Sequence, residues 1–152
     1  MASIIDQNWF RKPGTSNTVA IVLLVLRIVA GAAFVFHGWQ KIQQPASWVP
    51  PGGPVEIPGV FQFLAAVAEF LGGIAWVLGI VTPAASLGIA CTMMVALYFH
   101  LIVFGDAFVN LAGGSSFELP MVYLSIALVL LVLGPGKFSM DYLIFGERDK
   151  TI

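Results

Sequence analysis

Residues 60–104 read VFQFLAAVAEFLGGIAWVLGIVTPAASLGIACTMMVALYFHLIVF, and this stretch decides the fold. It is apolar almost throughout and is punctuated by Thr82-Pro83, which reads as an N-cap followed by proline at the first helical position, where its missing N–H costs nothing. A bilayer's hydrocarbon core is roughly 30 Å thick and a helix rises about 1.5 Å per residue, so roughly 20 apolar residues cross it. Residues 60–81 and 83–104 each meet that length, and with almost no connection between them they must form an antiparallel hairpin. Two further apolar runs flank the hairpin, at 18–38 and 117–134. The expected fold is all-α, a transmembrane antiparallel four-helix bundle in a single membrane domain covering residues 1–152.

Composition agrees. The chain is 59% hydrophobic and 10% charged, with a mean hydropathy of +0.93, whereas a soluble domain carries about a quarter charged residues. Nearly all of its mass is span, leaving no room for a soluble catalytic or nucleotide-binding domain. A net charge of −1 argues against a nucleic-acid partner. The single cysteine, Cys91, falls within the third span, so one copy can form neither a disulfide nor a thiol shuttle, and a buried packing role is expected.

Lys and Arg accumulate on the cytoplasmic side of membrane proteins. Arg11 and Lys12 precede the first span and Lys137, Arg148 and Lys150 follow the fourth, against Lys41 alone on the other side. Both termini are therefore expected in the cytoplasm, which requires an even number of crossings. The first apolar run exceeds the roughly 7 to 15 residues of a cleaved signal's core and contains Arg27, so it reads as a retained signal anchor. Residues 39–59 carry Pro45, Pro50, Pro51, Pro54 and Pro58 and read as a proline-rich outer loop, with Trp39 and Trp48 as headgroup anchors and Trp9 and Phe10 in that role on the inner side. Gly31 with Gly38, Ala68 with Gly72, and Ala84 with Gly88 offer close helix packing.

Arg27, Glu69 and Glu118 are the formal charges within the spans, and such residues are costly in lipid unless paired or wetted. Counting along the helices puts Arg27 roughly 14 Å and Glu69 roughly 18 Å from the inner edge, so the two are expected to meet in a buried ion pair. That pair is either a structural clamp or part of ligand or proton chemistry. Nearer the outer face, His37, Lys41, His100 and Glu118, with Asp106 beside them, form a candidate polar or quinone pocket; His37 and Lys41 share a helix face if the first helix runs that far. Metal binding and proton relay are the other readings of that set, but no tight ligand spacing marks a metal motif, and none is assigned. Ser115 and Glu118 fit a capping box, against which Pro120 argues for a later helix start.

Several of these motifs together resemble the DoxX family. His37-Gly38-Trp39-Gln40-Lys41 is similar to its HGxxK signature, Glu69-Phe70-Leu71-Gly72-Gly73 to its ExxGG, and Gly134-Pro135-Gly136-Lys137-Phe138-Ser139-Met140-Asp141 to its closing GPG(R/K)xSxD, while Thr82-Pro83 falls at its short inner turn. The resemblance implies a small multi-pass protein of a bacterial inner (plasma) membrane, associated with quinone-linked oxidoreductases. The chain has no CxxC, no pair of mid-membrane histidines for haem and no flavin or nucleotide loop, so it is not expected to be an enzyme by itself. The expected function is a small subunit of a membrane redox or electron-transport complex, with the lipid bilayer and other membrane subunits as partners and a quinone as the one candidate cofactor. The alternative is a non-catalytic structural or assembly subunit, and a third reading is a small-solute transporter.

Overall fold

The computed structural model describes residues 16–145. Trp9, Phe10, Arg11, Lys12, Arg148 and Lys150, on which the inner anchors and most of the charge count rest, lie outside the described residues. Helix α1 (Asn17–Ile42) opens at Ser16, whose hydroxyl accepts the Val19 N–H at 3.3 Å. It runs 26 residues, past the expected end, so that His37 and Lys41 are both helical and the outer loop shortens at its start. Helix α2 (Gly59–Leu78) stops short of residue 81 because Gly79 takes the left-handed conformation, φ 67°, and its N–H returns to the last carbonyls. Helix α3 (Thr82–Tyr98) continues through a π-helical segment, Phe99–Phe104. Helix α4 (Glu118–Leu133) follows a loop, and a short α5 (Met140–Phe145) closes the described chain.

These helices form the expected antiparallel bundle. Three of the apolar helices, α1, α2 and Thr82–Phe104, are long enough to cross a bilayer, while α4 has 16 residues, roughly 24 Å. Lys137 Nζ donates to Asn17 Oδ1 at 3.5 Å, so the chain leaves α4 at the end of the bundle where α1 begins. Glu118 sits exposed in the first turn of α4, consistent with the later start that Pro120 implies; no capping box forms, because Ser115 is engaged elsewhere.

Close approach of α1 and α2 organises the packing. A Cβ on Gly31 would lie 2.8 Å from the Gly73 carbonyl, and one on Gly73 2.7 Å from the Val35 nitrogen. In lipid, where burying apolar side chains gains little, this backbone proximity is what associates helices. Gly88 faces Ala68 across the α2–α3 seam, but Ala84 points outward. The core gathers around Phe34 and Trp76, whose rings meet edge to face at 5.5 Å, with Tyr123 of α4 tilted against Phe34 at 4.8 Å. The Trp76 indole N–H donates to Ser86 Oγ at 3.0 Å, satisfying both. Large apolar residues on the opposite faces, among them Val22, Val29, Phe36, Ile102 and Val132, are exposed and meet the bilayer.

Candidate functional site: a groove headed by an ion pair

The expected Arg27–Glu69 pair does not form. Gly38 packs against Phe70, which places Glu69 level with the end of α1, and Gly79 packs against Arg27. The rise from Arg27 to Gly38 is roughly 16 Å, beyond the reach of a guanidinium. The depth count failed because it set Thr18 level with Val81, whereas the first turns of α1 extend past α2 and pack against Gly136 of the chain's closing motif.

Arg27 instead belongs to a clamp at the α2–α3 turn. It is fully buried, and Nη2 donates to the Phe138 carbonyl at 2.7 Å with the Asp141 carboxylate supplying the compensating charge. Asp141 is also fully buried, and its two oxygens accept the N–H groups of Val81 at 2.7 Å and Thr82 at 2.9 Å. That carboxylate is the real cap of α3. Thr82 is the first helical residue rather than the N-cap, and Val81, held by Asp141, takes φ 44°, which is unusual for a β-branched residue. Asp141 N–H returns to the Gly79 carbonyl at 2.8 Å, and Ser139 Oγ donates to the Gly136 carbonyl at 2.6 Å while accepting the Tyr142 N–H. The arrangement can hold three elements together.

At the other end of the bundle, Lys41 Nζ lies 2.6 Å from Glu69 Oε1. The carboxylate's side chain is 5% exposed and the lysine's 25%. The ammonium also sits 4.5 Å from the centroid of the Trp48 ring, a cation–π contact. This cluster heads a groove of about 640 Å³ between α2 and α3, lined along its length by Leu64, Ala68, Cys91, Val95 and Phe99. The volume falls within the roughly 300–1,000 Å³ of small-molecule sites. Cys91 is exposed on the groove wall, which corrects the expected buried packing role: the helix face it occupies is left open by α2.

The polar residues expected in one pocket are dispersed. Lys41 reaches the groove; His37 is exposed on α1 with its ring 6.5 Å from that of Tyr123; Glu118 is exposed at the start of α4. His100, in the π-helical segment, bonds through Nδ1 to Asp106 Oδ2 at 2.7 Å, and Asp106 Oδ1 accepts from Ser115 Oγ at 2.7 Å. The Ser115 hydroxyl first and the His100 ring second hold the Asp106 carboxyl below its ordinary range. No hydrogen bond or ion pair joins any two of His37, Lys41, His100 and Glu118 among the described residues. Nor does any group of three His, Cys, Asp or Glu there come together as a metal site would require.

Gln62 is the residue that reading charges alone passes over. Only 6% exposed, it accepts the Val49 N–H at 2.8 Å on its side-chain oxygen and donates to the Ile57 carbonyl at 2.8 Å, while its backbone carbonyl accepts the Trp48 indole N–H at 2.9 Å. The proline-rich loop is therefore folded back on α2, and its Trp48 roofs Lys41. A lone amide in an apolar span was the available signal, because such a group must find partners.

Fold and site define a small polytopic membrane protein with a polar-headed groove. The chain belongs to the DoxX family, whose profile matches residues 22–102. It is 32% identical to the inner membrane protein YqjF of Escherichia coli K12 over 80% of this chain and 91% of that protein. To an uncharacterized protein of Haemophilus influenzae it is 31% identical over 78% of this chain and 87% of the relative. No solved structure matches. The motifs carrying the resemblance acquire physical roles: His37–Lys41 and Glu69–Gly73 face each other and build the ion pair and the tight α1–α2 contact, while Gly134–Asp141 builds the clamp.

Proposed function

We propose that this protein is a small subunit of a quinone-linked redox assembly in the bacterial inner membrane, and that the groove receives the quinone ring. The observation that carries this reading is the Lys41–Glu69 pair, its carboxylate buried, at the polar end of a groove whose walls are otherwise mostly apolar. Ionisable groups inside a membrane protein mark functional sites more often than decoration, and this pair sits where a ligand head would lie. The Lys41 ammonium can donate to a quinone carbonyl while Glu69 retains its charge partner, and Trp48 offers a flat wall for a ring. His37, His100 and Glu118 form no part of the site in this reading. Both termini lie in the cytoplasm, on the side bearing Lys137 and the basic residues beyond the described chain.

The test is titration of the protein in nanodiscs with a short-chain quinone, following tryptophan emission in the wild type and in Trp48→Phe, alongside gentle purification to identify co-purifying subunits. Saturable quenching that requires Trp48, with a redox partner recovered, supports the reading. A chain that purifies alone and shows no saturable response defeats it. The second reading, a structural or assembly subunit, is favoured by the clamp, in which Arg27 Nη2 and both Asp141 oxygens bond main-chain groups of other elements. A small-solute transporter has less support, since α1 and α2 run unbroken and lack the discontinuities that line transport sites.

A further inference from the structure

The groove has two boundaries of opposite character. Along its length its rim is made of Phe61, Leu64 and Val95, each more than half exposed and lying within the spans, together with exposed Cys91. Those surfaces face hydrocarbon. At its polar end the wall comes from the strap, residues 43–58, through Trp48, Glu56, Ile57 and Pro58. One residue fixes that strap: the Gln62 side-chain amide bonds both Val49 and Ile57, on either side of the Pro50–Pro54 turn, and its backbone carbonyl accepts the Trp48 indole N–H. Proline-rich chain has few backbone donors with which to close itself, so the latch must come from outside the strap.

We infer that Gln62 latches the strap as a seal against water, leaving the groove open sideways to the bilayer, so that its ligand is a membrane-dissolved molecule with a flat polar head and an apolar tail. This deepens the quinone reading and rests on it for the head group alone. The seal and the side opening stand on the geometry. Gln62 is a positioning residue: it sets Trp48 over Lys41 and touches no ligand itself.

Cys91, the one cysteine of the chain, is a native reporter on the groove wall. In nanodiscs, the wild type should react with membrane-soluble N-phenylmaleimide but resist a methanethiosulfonate bearing a fixed trimethylammonium charge, which cannot enter through hydrocarbon. Gln62→Ala should raise the charged reagent's rate at least about tenfold, the scale of losing the two hydrogen bonds its side-chain amide makes, and leave the maleimide rate unchanged. Gln62→Glu, which keeps an acceptor for Val49 N–H but loses the donor to Ile57, should fall between. Should Gln62→Ala fail to fold, Trp48→Phe removes only the indole donor and should give a smaller rise. Equal access of the charged reagent in wild type and variants, or a lowered melting temperature with no change in access, overturns the seal. Protection of wild-type Cys91 by a short-chain quinone tests the function separately. Its absence, with the access pattern intact, removes the quinone and keeps the lipid-side entrance.

Discussion

The two ends of this bundle each hold a basic side chain near a buried carboxylate, yet they use the charges differently. At the α2–α3 turn, Arg27 and Asp141 are spent on backbone: a carbonyl of residue 138 and the amides of residues 81 and 82. At the strap end, Lys41 and Glu69 spend themselves on each other, with an aromatic roof and a cavity alongside. Buried charge alone therefore does not identify a site. Charge whose partners are main-chain groups holds the fold, whereas charge paired beside free volume can exchange its partner for a ligand.

The largest expected effect falls on the clamp. Asp141→Ala removes both acceptors at the start of α3 and strands Arg27, which should cost about 3–5 kcal/mol. Measured by equilibrium unfolding in mixed micelles, Arg27→Gln should show a comparable loss, and the double variant far less than the sum, because both act through one network. Additive losses would mean the two groups work independently.

Next in size, and the sharpest probe of the comparison, is the Lys41–Glu69 pair. Lys41→Met alone should cost about 2–3 kcal/mol by leaving a buried carboxylate unpaired. Combining it with Glu69→Gln should restore stability to within about 1 kcal/mol of wild type, since a half-exposed or buried ion pair gives little net stability. Quinone-dependent quenching should stay absent in the double variant. A double variant that is stable and still responds would move the ligand site elsewhere; one that remains as unstable as the single would make this end another clamp.

The bundle was legible because span length and hydropathy are local properties, and so was the tight turn at Thr82-Pro83. The partners of the buried charges were not. Depth along a helix counts from an assumed edge, and the register of α1 on α2 is set by Gly31, Gly38 and Gly73 letting backbones touch. An error of a few turns there changes every partner. Asp141 caps a helix that starts far earlier in the sequence, which no local capping pattern can reveal. Ser115 shows the converse: the capping-box pattern was present, but the hydroxyl bonds Asp106, which the fold brings within reach across the loop.

The register itself can be challenged. Gly73→Val should separate α1 from α2 and cost about 1–3 kcal/mol through overpacking, while Gly88→Ala, whose added Cβ would sit at 3.4 Å from that of Ala68, should be near neutral in the same unfolding assay. A tolerated Gly73→Val would mean the helices do not need that contact.

The smallest effect separates a third polar cluster, on the loop at the strap end of the bundle, from the Lys41–Glu69 pair. Asp106 is held below its ordinary range chiefly by the Ser115 hydroxyl, then by His100. A carboxyl depressed in the folded state adds stability that is present above its unfolded value, about 3.9, and is lost as pH falls through the lower folded value. The loop joining the π-helical segment to α4 should therefore loosen only in acid below the usual carboxylate range. Ser115→Ala should move the Asp106 titration, followed by side-chain carboxyl NMR, back towards the ordinary value with no change in groove binding. If quinone quenching shifted with it, the His100 cluster would have to be joined to the ligand site, and the division between structural and ligand-facing charge would need a second functional member.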